Sequence, residues 1–176
     1  MAKRGATSGE QSPEHIEATR LNAQRMARLN KQTEISPALR QLAGKLQRPW
    51  TWLILAETWC GDGAQTIPVI AKIADLNSNI ALKIILRDEH PHIMDKYLTN
   101  GTRSIPKLIC HDESAGRELG TWGPRPKDIR ERVEKLKSDH PGISRQEFLE
   151  NLHLWYAQDK GQSVQRDFFD LLVKWL

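Results

Sequence analysis

Apolar residues recur along the chain with two spacings, which predict helices and strands in alternation. Helix starts are predicted at Ser12-Pro13-Glu14 and Ser36-Pro37, where a capping hydroxyl precedes a proline. Short apolar runs predict strands at about 50–57 and 81–86, and two further strands form a predicted hairpin at 107–111 and 117–122. The remaining helical patterns begin near residues 64, 91, 127, 144 and 163.

The order of these elements predicts an α/β fold. A strand, helix and strand over 50–86 make a βαβ unit with parallel strands, and the hairpin adds an antiparallel pair. We therefore expect a central mixed four-stranded sheet flanked by helices, with extra N- and C-terminal helices. The expected organisation is a single domain divided as follows: a disordered tail (1–11), N-terminal helices (12–48), the core (49–138) and a C-terminal helical extension packed on the core (139–176).

Composition and charge narrow the choice of partner and compartment. The 176 residues are 39% hydrophobic, which is enough for one core, and carry a net charge of +4. Most basic residues alternate with acids, as in 127–137, so the charge indicates solubility rather than a nucleic-acid partner. No apolar run is long enough to span a membrane, and two cysteines are too few for a disulfide scaffold. These features predict a cytoplasmic protein without a membrane partner.

One cysteine lies where a predicted strand passes into a helix, in the stretch LILAETWCGDGAQTIP at 53–68. The first N–H groups of a helix lack partners and carry the positive end of its dipole, so they stabilise a thiolate placed there. The thiolate is the nucleophilic form of cysteine. Cys60 is therefore the candidate nucleophile.

Several motifs together resemble the thioredoxin superfamily. They are WCG after a strand, a proline eight positions beyond the cysteine, R-x-I-P at 103–106 before the third strand, and a glycine after the fourth. The resemblance covers about 50–137, and WCGDGAQ with GTWGPRP is similar to a little-characterised bacterial branch. It implies a thioredoxin-like fold in which Cys60 is catalytic and Pro106 is a cis-proline facing it. It also implies that Ile105 pairs its backbone with an extended substrate.

Residues near the cysteine have alternative roles. Trp59 is either an apolar wall for the substrate or a packing residue. Gly61, Asp62 and Arg103 are expected to support the site. Asp62 is interpreted as a first-turn acid or cap, with proton transfer as the alternative. Arg103 either favours the thiolate from the rim of the site or is an ordinary surface charge.

The chain departs from the family's dithiol motif, because Gly63 occupies the position of the second cysteine. A mixed disulfide on Cys60 therefore cannot be released by an adjacent thiol. The predicted function is monothiol thiol-disulfide exchange in cell redox homeostasis. Its partner would be a low-molecular-weight thiol or a protein cysteine, and no cofactor is expected. The alternatives are a redox sensor and a redox-inactive protein-interaction module. The sequence leaves the oligomeric state open.

The second cysteine is not expected to act as a resolving thiol. Cys110 lies four residues beyond Pro106, roughly 13 Å along an extended strand, whereas the Cα atoms of a disulfide lie within about 7 Å. We interpret it as a buried small apolar residue. Together with His90, His92 and His111 it matches no standard zinc spacing, so no metal site is predicted.

Overall fold

A four-stranded sheet with the order β2-β1-β3-β4 lies at the centre of the computed structural model, which describes residues 5–176. β2 runs parallel to β1, while β3 pairs antiparallel with both β1 and β4. The mixed four-stranded sheet predicted from the sequence is therefore confirmed. The strands are β1 (Trp50–Ala56), β2 (Ile80–Leu86), β3 (Lys107–Asp112) and β4 (Arg117–Trp122).

Within residues 5–176, seven α-helices flank the sheet, and two of them are shorter than the apolar pattern predicts. The helices are α1 (Pro13–Gln32), α2 (Pro37–Ala43), α3 (Gly61–Ala74), α4 (Pro91–Met94), α5 (Lys127–Asp139), α6 (Arg145–Asp159) and α7 (Gln162–Trp175). α2 ends before Gly44, although Leu46 in the following turn is still buried. α4 is a single turn. Within residues 5–176, no helix is long and apolar enough to cross a membrane.

The two faces of the sheet carry separate apolar clusters. The larger cluster lies under α2, α3 and α7 and contains Trp52 of β1 and Cys110 of β3. The smaller cluster lies on the opposite face and contains Cys60, Ile105 and Ile109. Successive side chains of a strand point to opposite faces, so the sheet separates Cys110 from Cys60. Cys110 is fully buried, as the sequence predicts.

The polar N-terminal segment differs from expectation. Residues 1–4 of the predicted disordered tail lie outside the described residues, but residues 5–11 pack against the loop after β1. Thr7 Oγ1 lies 2.6 Å from Thr19 Oγ1, and Ser8 N–H donates to Thr58 Oγ1 at 2.8 Å. Ser8 also donates its hydroxyl hydrogen to Glu57, and both side chains are buried. The prediction of disorder is wrong for residues 5–11, because hydroxyl and amide groups find partners there that composition does not reveal.

Gly123 forms a close backbone contact beneath the candidate site, and its replacement by alanine is expected to destabilise the fold. Its φ is +114°, and a Cβ there would lie 2.1 Å from the carbonyl oxygen of Pro106. Gly123→Ala should therefore lower the free energy of unfolding by about 3 kcal/mol or more. Gly142→Ala is the matched control, because its Cβ would meet no atom within 4 Å. Urea unfolding that gives the two variants the same midpoint would contradict this expectation.

A candidate active-site cleft at the start of α3

Cys60 occupies the N-cap position of α3. Its Sγ accepts a hydrogen bond from Gly63 N–H at 3.3 Å, and its thiol donates to the carbonyl of Ile105 at 3.5 Å. The Ile105–Pro106 peptide bond is cis, as the resemblance implies. The helix begins at Gly61, three residues earlier than predicted, because Cys60 itself caps it. The nucleophile candidate therefore faces the backbone that the resemblance assigns to substrate pairing.

The thiol lies at the floor of a cleft of about 920 Å³. α1 forms one wall, the beginning of α6 another, and the loop before β3 a third. Six of the seven residues predicted for the site line this cleft, and Pro106 does not. Those six are Trp59, Cys60, Gly61, Asp62, Arg103 and Ile105. The other residues that line the cleft are Ala18, Leu21, Arg25, Arg87, Ser104, Arg145, Gln146, Leu149, Glu150 and His153.

The indole ring of Trp59 contacts two side chains. The imidazole of His15 stacks on it with centroids 4.7 Å apart and planes 9° apart. The guanidinium carbon of Arg87 lies 5.2 Å from the ring centroid. The flat ring considered as an apolar wall for the substrate therefore already contacts an imidazole and a guanidinium group.

Asp62 lies in the first turn of α3, as its interpretation as a first-turn acid expects, and its carboxylate also makes a partly buried ion pair. Arg125 Nη2 lies 2.7 Å from its Oδ2, and Arg125 Nε donates to both carboxylate oxygens at 2.9 Å. Tyr156 donates its hydroxyl hydrogen to Oδ1 at 2.8 Å. The carboxylate thus ties the start of α3 to the segment after β4 and to α6. Neither Arg125 nor Tyr156 was predicted from the sequence. Arg125 lies in the GTWGPRP string. A buried acid needs a cation as partner, which is the signal that could have linked this string to the WCGDGAQ motif.

The surroundings of Cys60 raise its pKa, whereas the helix terminus alone would lower it. Burial, followed by the negative charge of Asp62, raises the pKa of Cys60 to about 12. Hydrogen bonds from the N–H groups of Gly63 and Asp62, and the charge of Arg125, lower this pKa but do not compensate. The resting side chain is therefore a protonated thiol that is only 7% exposed.

Arg103 is held away from the role considered for it. Its Nε and Nη2 donate to the two carboxylate oxygens of Asp95 at 2.7 and 2.9 Å on the protein surface. The cation that acts on the Cys60 thiol is Arg125 instead. Arg103 remains a residue of the cleft rim whose charge is already paired.

His153 of α6 lies beside the start of α3. A Cβ at Gly61 would be 2.9 Å from His153 Cε1 and 4.0 Å from Arg25 Nη1. The pKa of His153 is lowered to about 4, mainly by burial and secondarily by the positive charge of Arg25. The negative charge of Asp62 acts in the opposite direction and raises this pKa. No spacing in the sequence pointed to His153 or Arg25, because α1 and α6 meet there only in the folded chain.

Because His153 is uncharged in the fold, it is expected to make stability depend on pH. Its pKa is lowered to about 4 in the fold, from an ordinary value of 6.5. The unfolded chain then binds more protons between these values, so stability is complete above pH 6.5 and falls as the pH decreases toward 4. His153→Gln should flatten this fall, measured as the urea midpoint at several pH values. The exposed His92→Gln is the control, and an unchanged slope in His153→Gln would refute the assignment.

Cys110 and the three histidines considered with it for a metal site, His90, His92 and His111, do not line this cleft. Cys110 pairs with Trp52 across the sheet, and burial raises its pKa to about 12. His111 lies 3.5 Å from Glu113 on the surface. No group of three or more His, Cys, Asp or Glu side chains in residues 5–176 has the proximity needed to hold a metal ion.

Comparison with known proteins identifies the family. A family model described as Thioredoxin matches residues 9–137, which is more than half of the chain. The chain belongs to the thioredoxin superfamily. No curated protein matches it. For this thioredoxin-superfamily protein, α6 and α7 lie beyond the matched range. His153 of the cleft and Tyr156, which donates to Asp62, therefore come from outside that range.

Solved structures share the fold at low sequence identity. A Pseudomonas aeruginosa protein of unknown function superposes with a TM-score of 0.64 at 20% identity, covering 88% of this chain and 83% of the other. An HIV 4E10 epitope-scaffold gives a TM-score of 0.62 at 20% identity, covering 88% of this chain and 84% of the other. At this identity the similarity shows the fold alone.

Proposed function

We propose that the protein carries out monothiol thiol-disulfide exchange at Cys60. The observation that carries the proposal is the position of its Sγ at the helix N-cap, 3.5 Å from the Ile105 carbonyl, at the floor of an open cleft. Membership of the thioredoxin superfamily makes a redox role the natural reading of that geometry. A cytoplasmic location belongs to the proposal, because a reducing thiol pool would supply the second reactant.

The exchange has two steps. The Cys60 thiol loses its proton and its sulfur attacks one sulfur of a substrate disulfide. A bond forms between Cys60 Sγ and that sulfur, the substrate S–S bond breaks, and the leaving thiolate takes up a proton. A second, external thiol then attacks the substrate sulfur of the mixed disulfide. It forms a new disulfide with the substrate and releases Cys60 as a thiol, so oxidation and reduction balance over the cycle.

The environment of Cys60 sets the rates of both steps. A thiol with a raised pKa gives little thiolate at neutral pH, so the first step is slow. The same raised pKa makes Cys60 a poor leaving group, so the mixed disulfide is long-lived. Gly63 offers no neighbouring thiol to accelerate release. We therefore expect slow turnover with accumulation of the Cys60 adduct.

A turnover assay tests the proposal. The protein is mixed with an oxidised cysteine peptide and excess 2-mercaptoethanol, and the exchange products are followed by chromatography. Catalysed exchange should disappear in Cys60→Ser and persist in Cys110→Ser, because Cys110 lies on the other face of the sheet. Equal rates with wild type, Cys60→Ser and no protein would overturn the proposal.

A redox-inactive interaction module is the second candidate, and a specific observation favours it. Cys60 is buried, and its pKa is raised rather than lowered. In such a module the cleft would bind a partner through contacts that need no sulfur chemistry. If a partner protein binds Cys60→Ser as well as wild type, and stays bound when reductant is added, the interaction module is supported over exchange.

A further inference from the structure

The cleft around Cys60 is lined by arginines whose charges are only partly paired. Arg87 lies 2.7 Å from Asp88, and Arg103 is paired with Asp95. Arg25 of α1 and Arg145 at the start of α6 have no ion-pair partner among residues 5–176. These two cations line the same cleft from two different helices.

The acids of the cleft offset these two charges only in part. Asp62 is bound to Arg125. Glu150 is an exposed carboxylate of the cleft that accepts a hydrogen bond from the uncharged Gln146 at 2.9 Å, and it stands alone against the two arginines. The cleft therefore keeps an excess of positive charge close to the thiol, which attracts an anionic ligand and steers its approach.

Arg25 is placed to bind an anion beside the sulfur. Its Nη1 donates to Asn22 Oδ1 at 2.8 Å, which fixes the guanidinium while other N–H groups remain. The same Nη1 lies 4.0 Å from the position of a Cβ on Gly61, the residue after Cys60. A carboxylate bound there would lie at the start of α3, in the cleft that Cys60 also lines. Leu21 and Leu149, each 37% exposed, give the cleft an apolar surface for the rest of the molecule.

We infer that the substrate of this cleft is a small thiol or disulfide that carries a carboxylate close to its sulfur, with Arg25 binding the carboxylate and Arg145 adding charge at the rim. The inference rests on the proposed exchange at Cys60 and specifies its substrate class. Guanidinium groups bind carboxylates in a two-pronged geometry that ammonium groups lack. The helices outside the sheet, α1 and α6, thereby determine selectivity.

Three small disulfides of similar size test the inference. They are 3,3'-dithiodipropionate, bis(2-hydroxyethyl) disulfide and cystamine, which carry carboxylates, hydroxyls and ammonium groups respectively. The rate of adduct formation on Cys60 is measured by mass spectrometry, and each rate is divided by that of the same disulfide with 2-mercaptoethanol. The dicarboxylate should react about tenfold faster than the neutral disulfide, and the preference should decrease with added salt.

Arginine variants locate the source of the preference. Arg25→Gln should remove most of it, and Arg145→Gln a smaller part. Arg28→Gln is the matched control, because Arg28 lies on the same helix and does not line the cleft. Two results would overturn the inference and leave the proposed exchange standing. One is that adducts form on Cys60 without any preference for the dicarboxylate. The other is that the preference is unchanged in Arg25→Gln.

A binding measurement tests anion binding at Arg25 even if no disulfide reacts with Cys60. The lack of reaction would count against the proposed exchange alone. Cys60→Ser is titrated with 3-(methylthio)propionate, a carboxylate that cannot exchange, and the imidazole resonance of His153 is followed by NMR. An anion bound to Arg25 should shift this resonance, because His153 and Arg25 both face Gly61. The shift should weaken in the Arg25→Gln background. Absence of any shift at millimolar ligand would overturn the inference.

Discussion

Gly63→Cys is expected to form a disulfide with Cys60 and to convert the protein into a dithiol. A Cβ at Gly63 would lie 3.6 Å from the Cβ of Cys60 and 3.7 Å from its Sγ. Cβ atoms of disulfides are about 3.5–4.5 Å apart. The nearest other atom, Ile67 Cδ1, is in ordinary contact at 3.4 Å, and Gly63 has no positive φ that would oppose a side chain. The site therefore has the space and the geometry for the thiol that the sequence lacks.

The oxidised Gly63→Cys variant should have a mass lower by two hydrogen atoms than its reduced form, and its Cys60 should resist alkylation. Its reduced form should release a mixed disulfide about a hundredfold faster than wild type, because the new thiol attacks from within the site. Gly63→Ser is the matched control, since its side chain has nearly the same size and cannot form a disulfide. Full alkylation of Cys60 in the oxidised Gly63→Cys variant would show that the two positions do not meet as described.

Asp62→Asn is expected to make Cys60 more reactive at neutral pH. The carboxylate raises the pKa of Cys60, and the charge of Arg125, which lowers it, is now neutralised in the ion pair. Removing the negative charge should lower that pKa and raise the thiolate population. Intrinsic nucleophilicity falls with the pKa, so the net gain in alkylation rate at pH 7 is expected to be about tenfold.

The rate of Cys60 alkylation against pH measures this effect in a Cys110→Ser background. The midpoint should move toward neutrality in Asp62→Asn and stay in place in Asp95→Asn, which removes an exposed carboxylate from the same rim. The variant should also lose about 2 kcal/mol of stability, because Arg125 and Tyr156 lose a partly buried partner. A midpoint that is unchanged or higher would contradict the role assigned to Asp62.

The fold and the position of Cys60 could be predicted from the sequence because their signals are local. The apolar runs of β1 and β2 with a helix between them define the parallel pair. Likewise, a cysteine between a strand and a helical pattern places Cys60 at the junction, although the helix begins three residues earlier than predicted. The hairpin of β3 and β4 follows from two short strands and a polar turn. Each of these features depends on neighbours within a few residues.

The electrostatics of the site could not be predicted in the same way. Asp62 meets Arg125 and Tyr156, which are 63 and 94 residues away in the chain. The prediction of a stabilised thiolate depends only on the N-terminal end of α3, which is local in the sequence. Burial and a carboxylate brought into an ion pair across the fold outweigh it. His153 and Arg25 were missed for the same reason, because α1 and α6 converge on Gly61 only through tertiary packing.

The N-terminal segment illustrates the limit of composition. Residues 5–11 are small and polar, which predicts disorder when no partner is known. Thr7 and Ser8 nevertheless bond to Thr58 and Glu57 beside the cleft. The pairing partners lie 49 to 51 residues away. A polar segment is therefore ordered here by a complementary polar loop.

The most direct test of exchange at Cys60 is the intact mass of the wild-type protein after incubation with bis(2-hydroxyethyl) disulfide, followed by peptide mapping. Exchange at Cys60 predicts a single adduct that forms slowly, maps to Cys60 and not to Cys110, and is removed by added 2-mercaptoethanol. An unmodified mass at a pH where free cysteine reacts, or an adduct confined to Cys110, would contradict it.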